Sequence, residues 1–116
     1  MSDEKRTPCP FCRRIREWEF MDTGIPHVAR FEPLNPVAKG HMLFVPDRHV
    51  MSARYDSATT GECMRAAARY ASRQQEDFNL ITSSGPSATQ TVPHLHVHYV
   101  PRREGDGLAL PWTGQR

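Results

Sequence analysis

Three histidines alternate with apolar residues near the C-terminal end of the chain, within the segment 91–100 (TVPHLHVHYV). Successive side chains of a β-strand point to opposite faces, so His94, His96 and His98 share one face while the apolar residues between them point to the core. Neighbouring histidines are then about 6.6 Å apart along the strand, too far for one ion to bind all three easily. The pattern predicts a half-buried strand whose three histidines have different tasks.

The rest of the chain divides into short segments typical of strands and one longer segment typical of a helix. Met64, Ala67 and Ala71 recur at helical spacing, and Thr59 and Glu62 have the spacing of a capping box. We predict strands over 15–21, 27–32, 41–45, 78–82 and 91–100, a turn at 22–24, and a helix over 59–77. This arrangement favours an α+β fold, in which an antiparallel sheet of about five strands carries one main helix.

Length and charge limit what the chain can be. Its 116 residues suit a single domain, in which we expect residues 1–14 to form an N-terminal arm and residues 102–116 a C-terminal tail. The 15 basic residues are spread along the chain and nearly offset by 13 acidic ones, which argues against a nucleic-acid partner. No apolar run is long enough for a membrane span or resembles a signal peptide, so we expect a cytoplasmic protein with no membrane partner.

The three cysteines are an odd number, so we expect no disulfide framework. Cys9 and Cys12 have the CxxC spacing of metal ligands. A thioredoxin-like redox motif would follow a core strand, and a local zinc finger would need a second ligand pair within finger spacing; the sequence has neither. Two interpretations remain, a metal site shared with histidines from elsewhere in the chain and a pair of metal-free thiols.

The segment 94–100 (HLHVHYV) resembles the His-φ-His-φ-His-φ-φ motif (φ is apolar) of the histidine triad (HIT) family of nucleotide hydrolases and transferases. Other blocks are similar to this family at the expected spacing, namely 36–41 (PVAKGH), 48–49 (RH), 85–86 (GP), 90–92 (QTV) and a tail ending in 111–112 (PW). The resemblance covers the chain from Cys9 to Trp112. It implies the family's fold and a homodimer.

The resemblance also implies a reaction at the α-phosphate of a nucleoside 5′-phosphate derivative, with His96 as the nucleophile that forms a nucleotidyl-histidine intermediate. His98 and Gln90 would assist catalysis. Positions similar to the family's substrate contacts are Phe31, Leu34, His41, Ser83, Gln90, Thr91 and His98. The expected ligand is a purine nucleotide such as one of adenosine, with no organic cofactor. The substrate stays open between a dinucleoside polyphosphate and a nucleoside phosphoramidate.

One branch of this family has an N-terminal CxxC pair, and the resemblance to it implies a zinc site. Its ligands would be Cys9, Cys12, His49 and the first histidine of the triad, His94. Four protein ligands close a tetrahedral site, so the zinc would be structural. The alternative is a metal-free thiol pair, with His49 capping a surface turn.

The chain also departs from the family pattern. Pro33 stands where the family usually has an Asp or Asn that holds the ribose hydroxyls, Ser83 stands near a frequent Asn, and Thr89 replaces a common glycine. These departures leave the preference for base and ribose open. They also motivate an alternative function, that of a nucleotide-binding regulatory protein with little turnover.

Overall fold

The computed structural model describes residues 9–112, which form a five-stranded antiparallel sheet with an α-helix on each face. The helices are α1 (Pro10–Arg16) and α2 (Ser57–Ala71), and the strands are β1 (Met21–Asp22), β2 (Val28–Phe31), β3 (Met42–Pro46), β4 (Asp77–Ile81) and β5 (Val97–Arg102). The strand order is β1-β2-β3-β5-β4, with 3-10 turns at Ala53–Tyr55 and Pro86–Ala88. The predicted α+β class is confirmed. Within residues 9–112, no helix is long and apolar enough to cross a membrane.

Helix α2 covers one face of the sheet with small residues. It buries Cys63, Ala66, Ala67 and Ala71 against Phe44 of β3, together with Leu95, Val97 and Tyr99. The helix begins two residues before the predicted start because the cap is Asp56, whose carboxylate accepts the Thr59 N–H at 2.9 Å. It ends at Ala71 instead of residue 77, since the polar run that follows has nothing to bury.

Helix α1 lies against the opposite face, where β2 and β3 present Ala29, Phe31, Leu43 and Val45. Pro10 occupies its first turn, and Cys9 caps it by accepting the Cys12 N–H on Sγ at 3.4 Å. Phe11 is the buried residue of α1 and packs on the ring of Phe31, with the centroids 5.4 Å apart. The described part of the predicted arm is therefore a helix packed on the sheet.

The strand predicted over 15–21 is wrong. Helix α1 continues to Arg16, and only Met21–Asp22 pairs with β2. The weak alternation in this segment reflected residues that are mostly exposed, so it carried no information about a buried strand face.

The alternation around the histidines is confirmed, although the strand is shorter at its start than predicted. Hydrogen-bonded pairing begins at Val97, because Pro93 has no N–H to donate and the His94 N–H donates to Val92 O in a tight turn. Leu95, Val97 and Tyr99 still pack under α2. The histidines lie on the other face, beneath α1.

Helix α1 ends in a Schellman motif with a tryptophan in the position that favours glycine. The Glu19 N–H donates to Arg14 O at 2.8 Å and the Trp18 N–H to Ile15 O at 3.1 Å. Trp18 therefore has φ of 59°, and its side chain is 81% exposed, stacked only on Phe20. This left-handed conformation costs a residue with a Cβ about 1 kcal/mol or more.

We predict that Trp18→Gly is more stable than Trp18→Ala by about 1 kcal/mol, because both variants lose the indole ring but only glycine relaxes the positive φ. Urea unfolding of the two proteins measures the difference. Equal stabilities would contradict the assignment of backbone strain to this residue.

Candidate active site

A cavity of about 310 Å³ lies between α1, the loop that precedes β3, and the start of β5. His96 and His98 line it from the sheet, and His41 lines it from the end of the loop. Its other lining residues are Pro10, Phe11, Arg13, Arg14, Pro33, Leu34, Asn35, Val37, Leu43, Thr91 and Val92. Three of the chain's histidines thus line one cavity.

The protonation of His96 is set by a backbone carbonyl. Its Nδ1 lies 2.7 Å from the carbonyl oxygen of His94, and a carbonyl can only accept, so Nδ1 carries the proton. In the neutral ring, Nε2 then keeps an unshared electron pair. His96 is only 6% exposed, and Phe11 packs edge-on against it at 5.1 Å, which fixes the ring plane. The hydrogen bond and the packing therefore hold the His96 imidazole in one orientation at the cavity.

A second chain of hydrogen bonds sets the protons of the other two rings. The Val37 N–H donates to Nδ1 of His41 at 3.1 Å, so this nitrogen is unprotonated. The neutral ring therefore carries its proton on Nε2, which donates to Nδ1 of His98 at 2.9 Å. His98 in turn must carry its proton on Nε2. The cavity thus has an acceptor on His96 and a donor on His98, with the two ring centroids 4.9 Å apart.

Burial keeps all three rings neutral. Desolvation lowers the pKa of His41 and the pKa of His96 below the ordinary value of 6.5. For His98, burial together with the neighbouring His96 and His41 lowers the pKa to about 4. At neutral pH, these three rings can therefore act as nucleophiles and as hydrogen-bond donors or acceptors.

Next to the cavity, Cys9, Cys12, His49 and His94 place their ligand atoms within 4.8 Å of one another. Nδ1 of His94 is 3.3 Å from Sγ of Cys9 and 3.5 Å from Sγ of Cys12, and Nδ1 of His49 is 3.3 Å from Sγ of Cys12. These residues lie close enough to hold a metal ion, as predicted.

The fold itself assembles this cluster. The start of α1 supplies the cysteines, and the Leu95 N–H donates to Val50 O at 2.6 Å, which holds the loop after β3 against the segment before β5. His49 and His94 are thereby neighbours, with centroids 4.9 Å apart. Nε2 of His94 donates to Pro46 O at 3.1 Å, which leaves Nδ1 free to bind a metal.

The donor set is compatible with zinc. Zinc–sulfur distances of about 2.3 Å and zinc–nitrogen distances of about 2.0 Å in a tetrahedron give sulfur–nitrogen separations of about 3.5 Å. The observed separations of 3.3 Å, 3.3 Å and 3.5 Å are close to this value. Two thiols and two imidazoles are also the ligands that structural zinc sites use.

Of the residues predicted to contact substrate, the structure brings His41, Leu34, Thr91 and His98 to the cavity. It does not bring Phe31, which is buried beneath Phe11 and Arg14. Ser83 does not line the cavity either.

Gln90 lies outside the cavity as well. Its Oε1 accepts the Gly85 N–H at 2.9 Å, and its Nε2 donates to Met51 O at 2.7 Å and Val92 O at 3.0 Å. The amide therefore holds the 85–92 loop closed.

Sequence reasoning missed the contribution of α1 to the cavity, which consists of Pro10, Phe11, Arg13 and Arg14. It also missed Thr82, whose hydroxyl donates to His96 O at 2.7 Å. The one available signal was that residues next to Cys9 and Cys12 must lie near whatever the cysteines bind. Without a predicted helix, that signal did not indicate which side chains face inward.

Comparison with known proteins gives a consistent result. The HIT domain family model matches residues 24–105. The adenosine 5′-monophosphoramidase of Saccharomyces cerevisiae is 30% identical over 115 residues, covering 92% of this chain and 71% of the yeast protein. The adenylylsulfatase of Arabidopsis thaliana is 30% identical over 80 residues, covering 64% of this chain and 41% of the plant protein.

Solved structures agree with the fold. A HIT family protein from Bacillus anthracis has a TM-score of 0.71 with this chain at 28% sequence identity. The similarity covers 93% of this chain and 83% of that protein.

Proposed function

Because this chain belongs to the HIT family, we propose that it is a nucleotide hydrolase that acts at the α-phosphate of a nucleoside 5′-phosphate derivative through His96. The observation that carries the proposal is the hydrogen bond from Nδ1 of His96 to His94 O, 2.7 Å long. It leaves the electron pair on Nε2 of a ring that lines the cavity. A neutral imidazole with one nitrogen bound is a nucleophile prepared for attack.

In the first step, Nε2 of His96 attacks phosphorus and the bond from phosphorus to the leaving group breaks. The leaving group departs with the electron pair of that bond and takes up a proton from solvent. The product is a nucleotidyl-histidine, whose positive imidazolium is stabilised by the His94 carbonyl that accepts its Nδ1–H. In the second step, water attacks phosphorus and gives up a proton to solvent, the electron pair of the N–P bond returns to Nε2, and the nucleoside monophosphate leaves.

His98 and His41 together stabilise the negative charge that develops on the phosphate oxygens during the reaction. The Nε2–H of His98 is a donor for a non-bridging oxygen or for the leaving group, and His41 fixes that tautomer through the 2.9 Å hydrogen bond. Thr91 and Leu34 complete the substrate contacts on the cavity wall. Gln90 stays outside this assignment, because its amide already makes three hydrogen bonds within the protein.

The relatives' names support an adenosine 5′-phosphate with a small leaving group. A monophosphoramidase releases an amine and an adenylylsulfatase releases sulfate. Both reactions break a bond to the α-phosphorus and both yield AMP. We therefore favour a nucleoside phosphoramidate or a mixed anhydride over a dinucleoside polyphosphate.

We also propose that the Cys9, Cys12, His49 and His94 cluster binds one structural zinc ion. When bound, the zinc would supply a rigid link between α1 and the segment before β5 and no open coordination position for chemistry. The chain's own residues then keep the His94 carbonyl in place for His96.

For quaternary structure we propose a homodimer formed through β4. This strand is at one edge of the sheet, paired only with β5 among the described strands. It exposes Phe78 at 39% and Ile81 at 36%. Unpaired edge strands with apolar side chains favour pairing with another chain.

A second candidate function is nucleotide binding with little turnover. Pro33 lines the cavity but offers no side-chain acceptor for ribose hydroxyls, and Gln90 is withdrawn from it. A protein of this kind would bind AMP without releasing it from a substrate.

We predict that His96→Ala lowers kcat for adenosine 5′-phosphoramidate by about 10³-fold or more, because no other cavity group replaces the attacking nitrogen. Mass spectrometry after a rapid alkaline quench should find an AMP adduct in the wild type and none in the variant. The matched control is His27→Ala, since His27 is an exposed histidine paired with Asp47 outside the cavity. Wild-type rates in His96→Ala would remove this residue as the nucleophile, and an inactive wild type that binds AMP would favour the second candidate.

We predict that the acid limb of the kcat/KM profile has its midpoint below pH 6.5. Burial lowers the pKa of His98 to about 4 and lowers the pKa of His41 below 6.5, so both rings gain a proton only in more acidic solution than an ordinary histidine does. Circular dichroism at each pH separates loss of the site from unfolding. An acid limb with its midpoint at or above pH 6.5 in a folded protein would contradict the burial of these rings.

We predict about one zinc ion per chain in protein purified without chelator, and a large loss of zinc in Cys9→Ser. The control is Cys63→Ala, which removes a thiol from the core under α2. Elemental analysis together with thermal melting measures both effects. Unchanged zinc content in Cys9→Ser would exclude the four-ligand site.

A further inference from the structure

Arg14 forms part of the cavity wall and lies over Phe31, a residue that was expected to contact the substrate. Its guanidinium carbon lies 4.0 Å from the centre of the Phe31 ring, and its Nη1 donates to Glu32 O at 2.6 Å. Phe31 is 2% exposed, so the ring that was expected to contact the substrate is covered. A ligand at this position would therefore contact the guanidinium of Arg14 instead of the Phe31 ring.

The charges that line the cavity have one sign. Arg13 and Arg14 belong to the lining, and no Asp or Glu among residues 9–112 does. Arg13 is partly neutralised, since its Nη1 pairs with Glu17 at 3.2 Å on the exposed face of α1. Arg14 has no acidic partner among the described residues. With the histidines neutral, the guanidinium of Arg14 is the main fixed charge at the site.

The guanidinium is also held ready for a ligand. One N–H donates to Glu32 O, and the ring of Phe31 supports the planar face. The remaining N–H donors have no acceptor among the described residues. Because the group is already oriented, binding an anion costs little additional side-chain entropy.

We propose that Arg14 binds a second anionic group of the substrate, a phosphate ester on its nucleoside part, while the reacting phosphate lies at His96. This inference rests on the proposed function for the position of the reacting phosphate. An arginine fork matches two phosphate oxygens. Pro33 also lines the cavity and offers no side-chain acceptor for a free ribose hydroxyl, so the guanidinium of Arg14 is the polar group available there.

The matched probes are adenosine 5′-phosphosulfate and 3′-phosphoadenosine 5′-phosphosulfate, which share the scissile bond and differ by one phosphate. We expect the wild type to prefer the 3′-phosphorylated compound by about tenfold or more in kcat/KM, mostly through KM. Arg14→Gln should remove the preference, and Arg14→Lys should keep part of it, because lysine has the charge without the fork. Added salt should weaken the preference in the wild type.

Arg65→Gln is the control variant, because Arg65 lies on α2 across the sheet and pairs with Glu62 on the surface. It should retain the full preference. Thermal melting of all variants identifies any loss of folding, and Arg14→Lys preserves the packing of the long side chain on Phe31 if Arg14→Gln proves unstable.

The outcomes distinguish this inference from the proposed function. Hydrolysis of both compounds at equal kcat/KM by the wild type overturns the role of Arg14 and leaves the function standing. Calorimetry measures the binding of both compounds and so tests the inference if the proposed function fails. If neither compound is hydrolysed, tighter binding of the 3′-phosphorylated one that is lost in Arg14→Gln supports the inference while the function fails, and equal or absent binding overturns it.

A base-reading role is the rival for the same side chain, since arginine also recognises guanine edges. Guanosine and adenosine 5′-phosphoramidates test it. If Arg14→Gln changes the ratio of these two rates but not the effect of the 3′-phosphate, Arg14 reads the base and the inference is overturned.

Discussion

The architecture of the site depends on one residue that acts through both its side chain and its backbone. The ring of His94 belongs to the cysteine–histidine cluster, while its carbonyl oxygen accepts the Nδ1–H of His96 at 2.7 Å. Whatever fixes the ring also fixes the acceptor that determines the tautomer of His96. The cysteine–histidine cluster and the cavity are therefore two parts of one arrangement.

Backbone groups orient the imidazole rings of His94, His96 and His41. Pro46 O accepts from His94, His94 O accepts from His96, and the Val37 N–H donates to His41. The carbonyl acceptors raise the pKa of His94 and the pKa of His96, but desolvation is the larger effect and lowers both pKa values below 6.5. Neutral imidazoles can therefore serve as nucleophile and donor near neutral pH.

Helix α1, which is seven residues long, contacts both the cavity and the cysteine–histidine cluster. The segment carries Phe11 edge-on against His94 and His96, and it places Arg14 over Phe31. The preceding residue, Cys9, caps the helix and belongs to the cysteine–histidine cluster. A change in the placement of α1 would alter the cluster, the packing of His96 and the charge of the cavity together.

The sequence alone determined the class of fold and the core face of the histidine strand. Alternation is a local property, so the separation of Leu95, Val97 and Tyr99 from the histidines could be predicted from spacing. The grouping of Cys9, Cys12, His49 and His94 came from resemblance, and the structure brings their ligand atoms within 4.8 Å.

Only the tertiary structure decided which side chains face the cavity. The strand predicted over 15–21 was wrong because an exposed amphipathic pattern of seven residues does not distinguish a helix end from an edge strand. Gln90 and Phe31 were expected at the substrate. One hydrogen bond of the Gln90 amide instead goes to Met51 O, 39 residues away, and residues of α1 cover Phe31. Such contacts depend on packing between distant segments, and no local spacing specifies them. For the same reason, the sequence did not predict the positive charge of the cavity wall, which depends on the packing of α1 on the sheet.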